Sequence, residues 1–88
     1  MSERRDHKIK RLKMRSMRRG IKEMDIILSH FASNRLEDMT LDQLSNYDLF
    51  TLENDHDLYA WIMGTAKPPQ KFASLVNEIL AHLETLQV

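Results

Sequence analysis

The sequence predicts an all-α fold, a compact irregular bundle of five short helices. Three observations carry this expectation. Apolar residues recur at helical spacing, no stretch shows the strict alternation of a half-buried strand, and capping or breaking residues separate the helical stretches at Gly20, Thr40, Asp55, Gly64 and Pro68-Pro69.

Taken in order, residues 7–19 are rich in Lys, Arg, Met and Leu without a breaker, a composition that favours helix. The apolar face here is thin. Ile9 and Leu12 share a side with Met17 near it, and Met14 points elsewhere, so this helix needs packing against something else to be stable. Gly20 interrupts, and a second helix is expected over 21–34. At 100° per residue Ile21, Met24, Ile27, Leu28 and Phe31 fall within one arc of about 120°, a core-facing stripe. Glu23 lies just outside that arc in the first turn, where the helix dipole favours a carboxylate and solvent can reach it.

Residues 36–39 form a connector. Thr40-Leu-Asp-Gln43 fits a capping box opening a third helix over 41–52, with Leu41, Leu44 and Leu52 on one apolar side broadened by Tyr47, Leu49 and Phe50. An acidic turn follows, with Asp55 expected as the N-cap of a fourth helix over 57–63. Leu58, Trp61 and Ile62 share one face of it, and Gly64 is placed to end it in a left-handed conformation. Pro68 or Pro69 suits the first position of a last helix over 70–86, whose Phe72, Leu75, Val76, Ile79, Leu83 and Leu86 keep to one side.

Eighty-eight residues make one small domain, here 1–88 with 1–7 as a flexible basic arm. The absence of cysteine excludes a disulfide framework and thiolate metal ligands. No apolar run approaches the roughly 20 residues of a membrane span, and the start lacks the apolar core of a secretory signal, so a cytoplasmic bacterial protein is expected before a mitochondrial one. A net charge of zero conceals a polarity. Residues 1–22 hold ten basic residues against two acids, a net of +8, and residues 23–88 hold three against eleven, a net of −8. Such a split suits neutralisation across the fold, docking on an acidic partner, or phosphate contact.

Catalytic chemistry finds little support. His7, His30, His56 and His82 lie on different elements without metal-ligand spacing, and surface histidine is the simpler reading. With only Gly20 and Gly64 there is no phosphate loop, and none of the serines has an elbow-like setting. Glu53, Asp55 and Asp57 read as loop and capping acids before they read as a carboxylate site.

Two segments carry a resemblance. Arg18-Arg19-Gly20-Ile21-Lys22-Glu23-Met24-Asp25, followed some thirty residues on by Leu52-Glu53-Asn54-Asp55-His56-Asp57-Leu58-Tyr59-Ala60-Trp61-Ile62-Met63-Gly64, resembles the succinate dehydrogenase assembly factor 2 family, also called SdhE, over about residues 10–82. The resemblance implies a five-helix protein, expected as a monomer when free although the sequence leaves the oligomeric state open, that binds the flavoprotein subunit of succinate dehydrogenase, and in bacteria often that of fumarate reductase. There it promotes covalent attachment of FAD to a partner histidine, without a stably bound cofactor, a metal or catalytic residues of its own. The implied partner-binding residues are Arg18, Arg19, Gly20, Glu23 and Asp25 of the first segment, bordered by Asp55, Asp57 and Tyr59 of the second.

Each can be given a physical task. Gly20 lets a partner backbone approach, Arg19 can grip a partner carboxylate or carbonyl with two prongs, and Glu23 offers an acceptor beside the apolar face. The local alternative is an Arg19 to Glu23 pair across one helical turn, worth only ~0.2–0.5 kcal/mol. The alternative function is a small nucleic-acid-binding module using the basic first helix, although that helix lacks interleaved aromatics for base stacking.

Overall fold

In the computed structural model, which describes residues 3–86, the helical spacings fold as helices. They are α1 (Arg5–Arg15), α2 (Lys22–Arg35), α3 (Leu41–Thr51), α4 (Asp55–Met63) and α5 (Gln70–Leu83), with single 3₁₀ turns at Leu36–Asp38 and Glu84–Leu86. Helix α2 touches α1, α4 and α5, while α5 touches α2, α3 and α4, so these two form the middle of the bundle. They are also the helices with the longest continuous apolar stripes. Met24, Ile27, Leu28 and Phe31 of α2 and Phe72, Leu75, Val76 and Ile79 of α5 are buried as their spacing requires.

A row of rings runs through the core. Phe31 lies beside Tyr47, Tyr47 beside Phe50, and Phe50 meets Phe72 edge-on at 5.3 Å between centroids, with Trp61 5.9 Å beyond. Four helices thus share one aromatic spine. At its outer end His30 Nδ1 and His82 Nε2, 2.8 Å apart, tie α2 to α5. Burial, then the neighbouring His30, holds the His82 imidazole below its ordinary pKa.

The ends of elements differ from expectation in informative ways. Helix α1 begins at Arg5 and stops at Arg15, so the break before α2 spans residues 16–21 rather than Gly20 alone. The expected basic arm is therefore helical from Arg5 onward, and its residues 1 and 2 lie outside the described residues. Helix α4 begins two residues early and is capped by Asn54, whose side chain accepts the His56 N–H at 2.8 Å; Asp55 is its first residue, not its cap. Pro69 is the N-cap of α5, and α5 gives way to a 3₁₀ turn after Leu83. Gly64 does end α4 in the left-handed region, at φ 82°.

Helix α3 carries the largest correction. Leu41 and Leu52, expected on its apolar side, are 59% and 62% exposed, and Leu49 is also exposed. Of the expected apolar set only Leu44, Tyr47 and Phe50 face inward, because the ring spine and the approach of α1 determine which arc of a broadly apolar helix is covered. Met17, placed near the α1 stripe, is exposed as well.

Helix α1 packs on α3 and is fastened to it by polar and charged contacts. Lys8 Nζ reaches Ser45 Oγ at 3.1 Å, and the Arg11 guanidinium bonds both Asp48, at 2.8 Å, and Glu3, at 2.9 Å. Hydrogen bonds from Arg11 hold the Asp48 and Glu3 carboxyls below the usual carboxylate range.

Two predictions follow from these local contacts. Thr40 and Gln43 close a complete capping box, the Thr40 side chain accepting the Gln43 N–H at 3.1 Å and Gln43 Oε1 accepting the Thr40 N–H at 2.8 Å. Thr40→Ala is expected to cost about 1 kcal/mol, seen as a fall of roughly 4–8 °C in Tm by circular dichroism; an unchanged Tm would show that the box adds nothing. The depressed Asp48 carboxyl stabilises the fold fully above the ordinary carboxylate pKa of about 4, and this contribution is lost as pH falls through the lower folded value. Asp48→Asn should thus be less stable than the parent at neutral pH, with the gap closing in acid. A gap in urea midpoint that stays constant with pH would contradict this.

Candidate functional site

The break between α1 and α2 is fixed from behind at two points. The first is Ser16, which falls on the same side of α1 as Ile9 and Leu12 and is fully buried. Its Oγ donates to the Leu12 carbonyl at 2.8 Å, closing the end of α1, and shares a hydrogen bond with the Tyr47 hydroxyl. Burial pushes the Tyr47 phenol up to about 12, so it stays protonated and available for that bond. Ser29 of α2 adds a link, its Oγ lying 3.2 Å from the Ser16 carbonyl and 3.1 Å from Asp25 Oδ1.

The second point is Asp55. Arg18 adopts the left-handed region, at φ 56°, and this reversal turns Arg19 back onto the bundle. Arg19 Nε and Nη2 approach Asp55 Oδ1 at 2.8 and 2.7 Å, and Nη1 donates to the Arg15 carbonyl at 2.9 Å. Gly20 N–H donates to the other carboxylate oxygen, Oδ2, at 2.6 Å. A Cβ at position 20 would stand 3.1 Å from that oxygen, so a side chain there would press on the carboxylate and push it back by a few tenths of an ångström. This close approach favours glycine; its φ is not positive.

The Arg19 and Asp55 side chains are only 10% and 16% exposed. An exposed ion pair contributes about 0–1 kcal/mol, whereas hydrogen bonds to charged groups shielded from water contribute roughly 1.5–3 kcal/mol. The clasp belongs to the second kind. Asp55 is also favoured by its place in the first turn of α4, at the positive end of the helix dipole.

The structure brings Arg19, Gly20 and Asp55 into direct contact and leaves Arg18, Gly20, Glu23 and Asp57 exposed, with Asp25 and Tyr59 half-buried. The local pairing of Arg19 with Glu23 does not form. Residue 19 lies outside the helix, its guanidinium bonds Asp55, and Glu23 has no ion-pair partner among the described residues. The two-pronged grip expected of Arg19 is thereby made inside the chain. Ser16, Ser29 and Tyr47 were missed by sequence reasoning. Ser16 alone left a signal, a hydroxyl on an otherwise apolar stripe four residues after Leu12.

Removing the Asp55 carboxylate strands a nearly covered guanidinium and a backbone N–H. Asp55→Ala is expected to destabilise the fold on the order of 2–3 kcal/mol. Because Arg19→Ala removes the same contact, the two losses should overlap, with a coupling energy of roughly 1–3 kcal/mol in a double-mutant cycle followed by urea denaturation. Simple additivity would show the contact to be incidental.

Comparison with known proteins identifies the fold's relatives. A family model described as "Flavinator of succinate dehydrogenase" matches residues 10–83. The "FAD assembly factor SdhE" of Legionella pneumophila (strain Lens) is 37% identical over 62 residues, covering 70% of this chain and 78% of that protein. The mitochondrial "Succinate dehydrogenase assembly factor 2" of Schizosaccharomyces pombe is 38% identical over 72 residues, covering 82% of this chain and 52% of the relative. That of Penicillium rubens is 50% identical over 63 residues, covering 72% and 20%. Among the described residues no helix is long and apolar enough to cross a membrane. The clasped linker thus sits within a chain that belongs to the family of flavinators of succinate dehydrogenase.

Proposed function

We propose that the exposed edge formed by Arg18, Gly20 and Glu23, bordered by Asp25, Asp57 and Tyr59, docks on the flavoprotein subunit of succinate dehydrogenase and promotes covalent attachment of FAD to it. Arg19 and Asp55 belong to this site as the clasp that shapes the edge. In a bacterial setting the flavoprotein subunit of fumarate reductase is a second client of the same edge. The observation that carries the reading is the exposure of Gly20 and, in the first turn of α2, of Glu23, beside a linker fastened from behind.

The chemistry belongs to the partner. The new bond joins FAD to a histidine of the flavoprotein, and no atom of this chain enters it. FAD is cargo of that partner rather than a resident cofactor here, and a chain with two glycines offers no dinucleotide cradle of the glycine-rich kind. What a non-catalytic helper supplies is alignment. Holding reacting groups in register accelerates a reaction without added acid, base or nucleophile, and a protein that binds an aligned minor conformer best raises its population. The free helper acts as a monomer in this scheme.

The test is co-expression with the flavoprotein subunit, with flavin fluorescence read in the denatured subunit. Glu23→Ala, at an exposed position without an ion-pair partner among the described residues, should lower Tm by no more than a few degrees, through the lost favourable charge at the start of α2, and lower attachment several-fold. Gly20→Arg should lower it further, since its side chain starts against Asp55 and fills the edge. Full attachment by either variant at equal protein levels would remove this surface from the function.

A further inference from the structure

The geometry points to a second contact on the same partner, resting on the function proposed above: the outward face of α1 with the start of the linker after it, carrying Lys10, Met14, Arg15, Met17 and Arg18, captures an acidic protein surface of the flavoprotein subunit. At 100° per residue His7, Lys10, Arg11, Met14 and Arg15 occupy an arc of about 140°, opposite the buried Ile9 and Leu12, and they line one open groove. Met14, Met17 and Arg18 line a second groove that continues it toward Gly20.

Charge pairing makes this face unusual. The other cations of α1 are engaged within the bundle: Arg5 with the Glu37 carbonyl, Lys8 with Ser45, Arg11 with Glu3 and Asp48, and Lys13 with Glu37. Lys10, Arg15, Arg18 and Lys22 have no acidic partner among the described residues, although acids outnumber bases eleven to three over residues 23–88. Arg18 also holds a left-handed backbone that a glycine would adopt without cost, so a cation stands where conformation alone would favour glycine.

The occupant follows from what lies between the cations. Met14 and Met17 are 67% and 48% exposed, adaptable thioethers suited to a protein surface with apolar patches. Against a nucleic-acid backbone they would face phosphate, and the strip has no aromatic for base stacking. The three cations of the strip, Lys10, Arg15 and Arg18, without an acidic partner among the described residues, suit an acidic surface, and the nearness of Arg18 to Gly20 in the chain puts that surface on the same partner. Complementary charge of this kind chiefly raises the association rate.

The test measures association of the full chain with the purified flavoprotein subunit by stopped flow across ionic strength, together with flavin attachment at saturating protein. Lys10→Glu with Arg15→Glu should slow association at low salt by roughly tenfold or more and abolish its salt dependence, while attachment at saturation reaches the parent plateau. Lys10→Gln with Arg15→Gln gives an intermediate rate and covers the case in which reversal disturbs folding, checked by Tm. Gly20→Arg separates the two claims, because it should lose attachment even at saturation; if it does not, the proposed docking edge fails while this face is judged on rate alone. An unchanged rate and salt slope in both charge variants overturns the inference. So does loss of binding to an RNA oligonucleotide, or to anionic vesicles, in variants whose association with the flavoprotein is unaltered.

Discussion

A carboxylate on the first turn of α4, bonded at once to a guanidinium and to a backbone N–H thirty-five residues earlier, is the constraint on which the site depends. Asp55 favours a residue without a side chain at position 20, and its bonds to Nε and Nη2, with Nη1 on the Arg15 carbonyl, suit a planar five-donor cation rather than a lysine at position 19. It also accounts for part of the charge polarity. The basic first quarter of the chain and the acidic remainder meet at Arg19 with Asp55, Arg11 with Asp48, and Lys13 with Glu37, of which only the first pair is substantially shielded from water. The surface pairs orient α1; the shielded pair fixes the linker.

On the alignment mechanism proposed above, the ordering of this linker has a thermodynamic meaning. A helper shifts a partner's conformational equilibrium only by its differential affinity for the two states, so freedom lost within the helper on binding subtracts from that difference. The two fastenings, Ser16 on Tyr47 and Asp55 on Arg19 with Gly20, order the segment before a partner arrives. Arg18 lies between them in a conformation that costs a non-glycine residue of order 1–2 kcal/mol, and the surrounding contacts hold it there.

Most of the fold was legible because α2 and α5 carry continuous apolar stripes, and a stripe of that kind leaves one face to bury. Helix α3 was not legible to the same degree. Leu41, Leu49 and Leu52 are as apolar as Leu44 and Tyr47, and only the position of the neighbouring helices decides which of them is covered. The site divides in the same way. Arg19, Gly20, Glu23 and Asp55 stood out by resemblance, but local spacing paired Arg19 with Glu23, a pairing that presumes a continuous helix. The chain breaks over residues 16–21, and the true partner comes from thirty-six residues away, a separation no periodicity reports. Ser29 and Tyr47 belong to the same class of contact, visible only once the helices are packed.

The balance of forces at the exposed surface also bears on how such a helper leaves. Extended apolar interfaces resemble a domain core cut in half and suit permanent complexes, which a helper of the proposed kind, released once the flavin is attached, would have to avoid. Here the exposed large apolar residues of the linker and the outer face of α1 are Met14 and Met17, with Ile21 half-buried against the core, and they are interspersed with solvated cations that act strongly on encounter and weakly on residence. The shielded contacts, by contrast, are all internal. A fold that keeps its desolvated charges for its own linker and its screened charges for its surface can be rigid in shape and still transient in association.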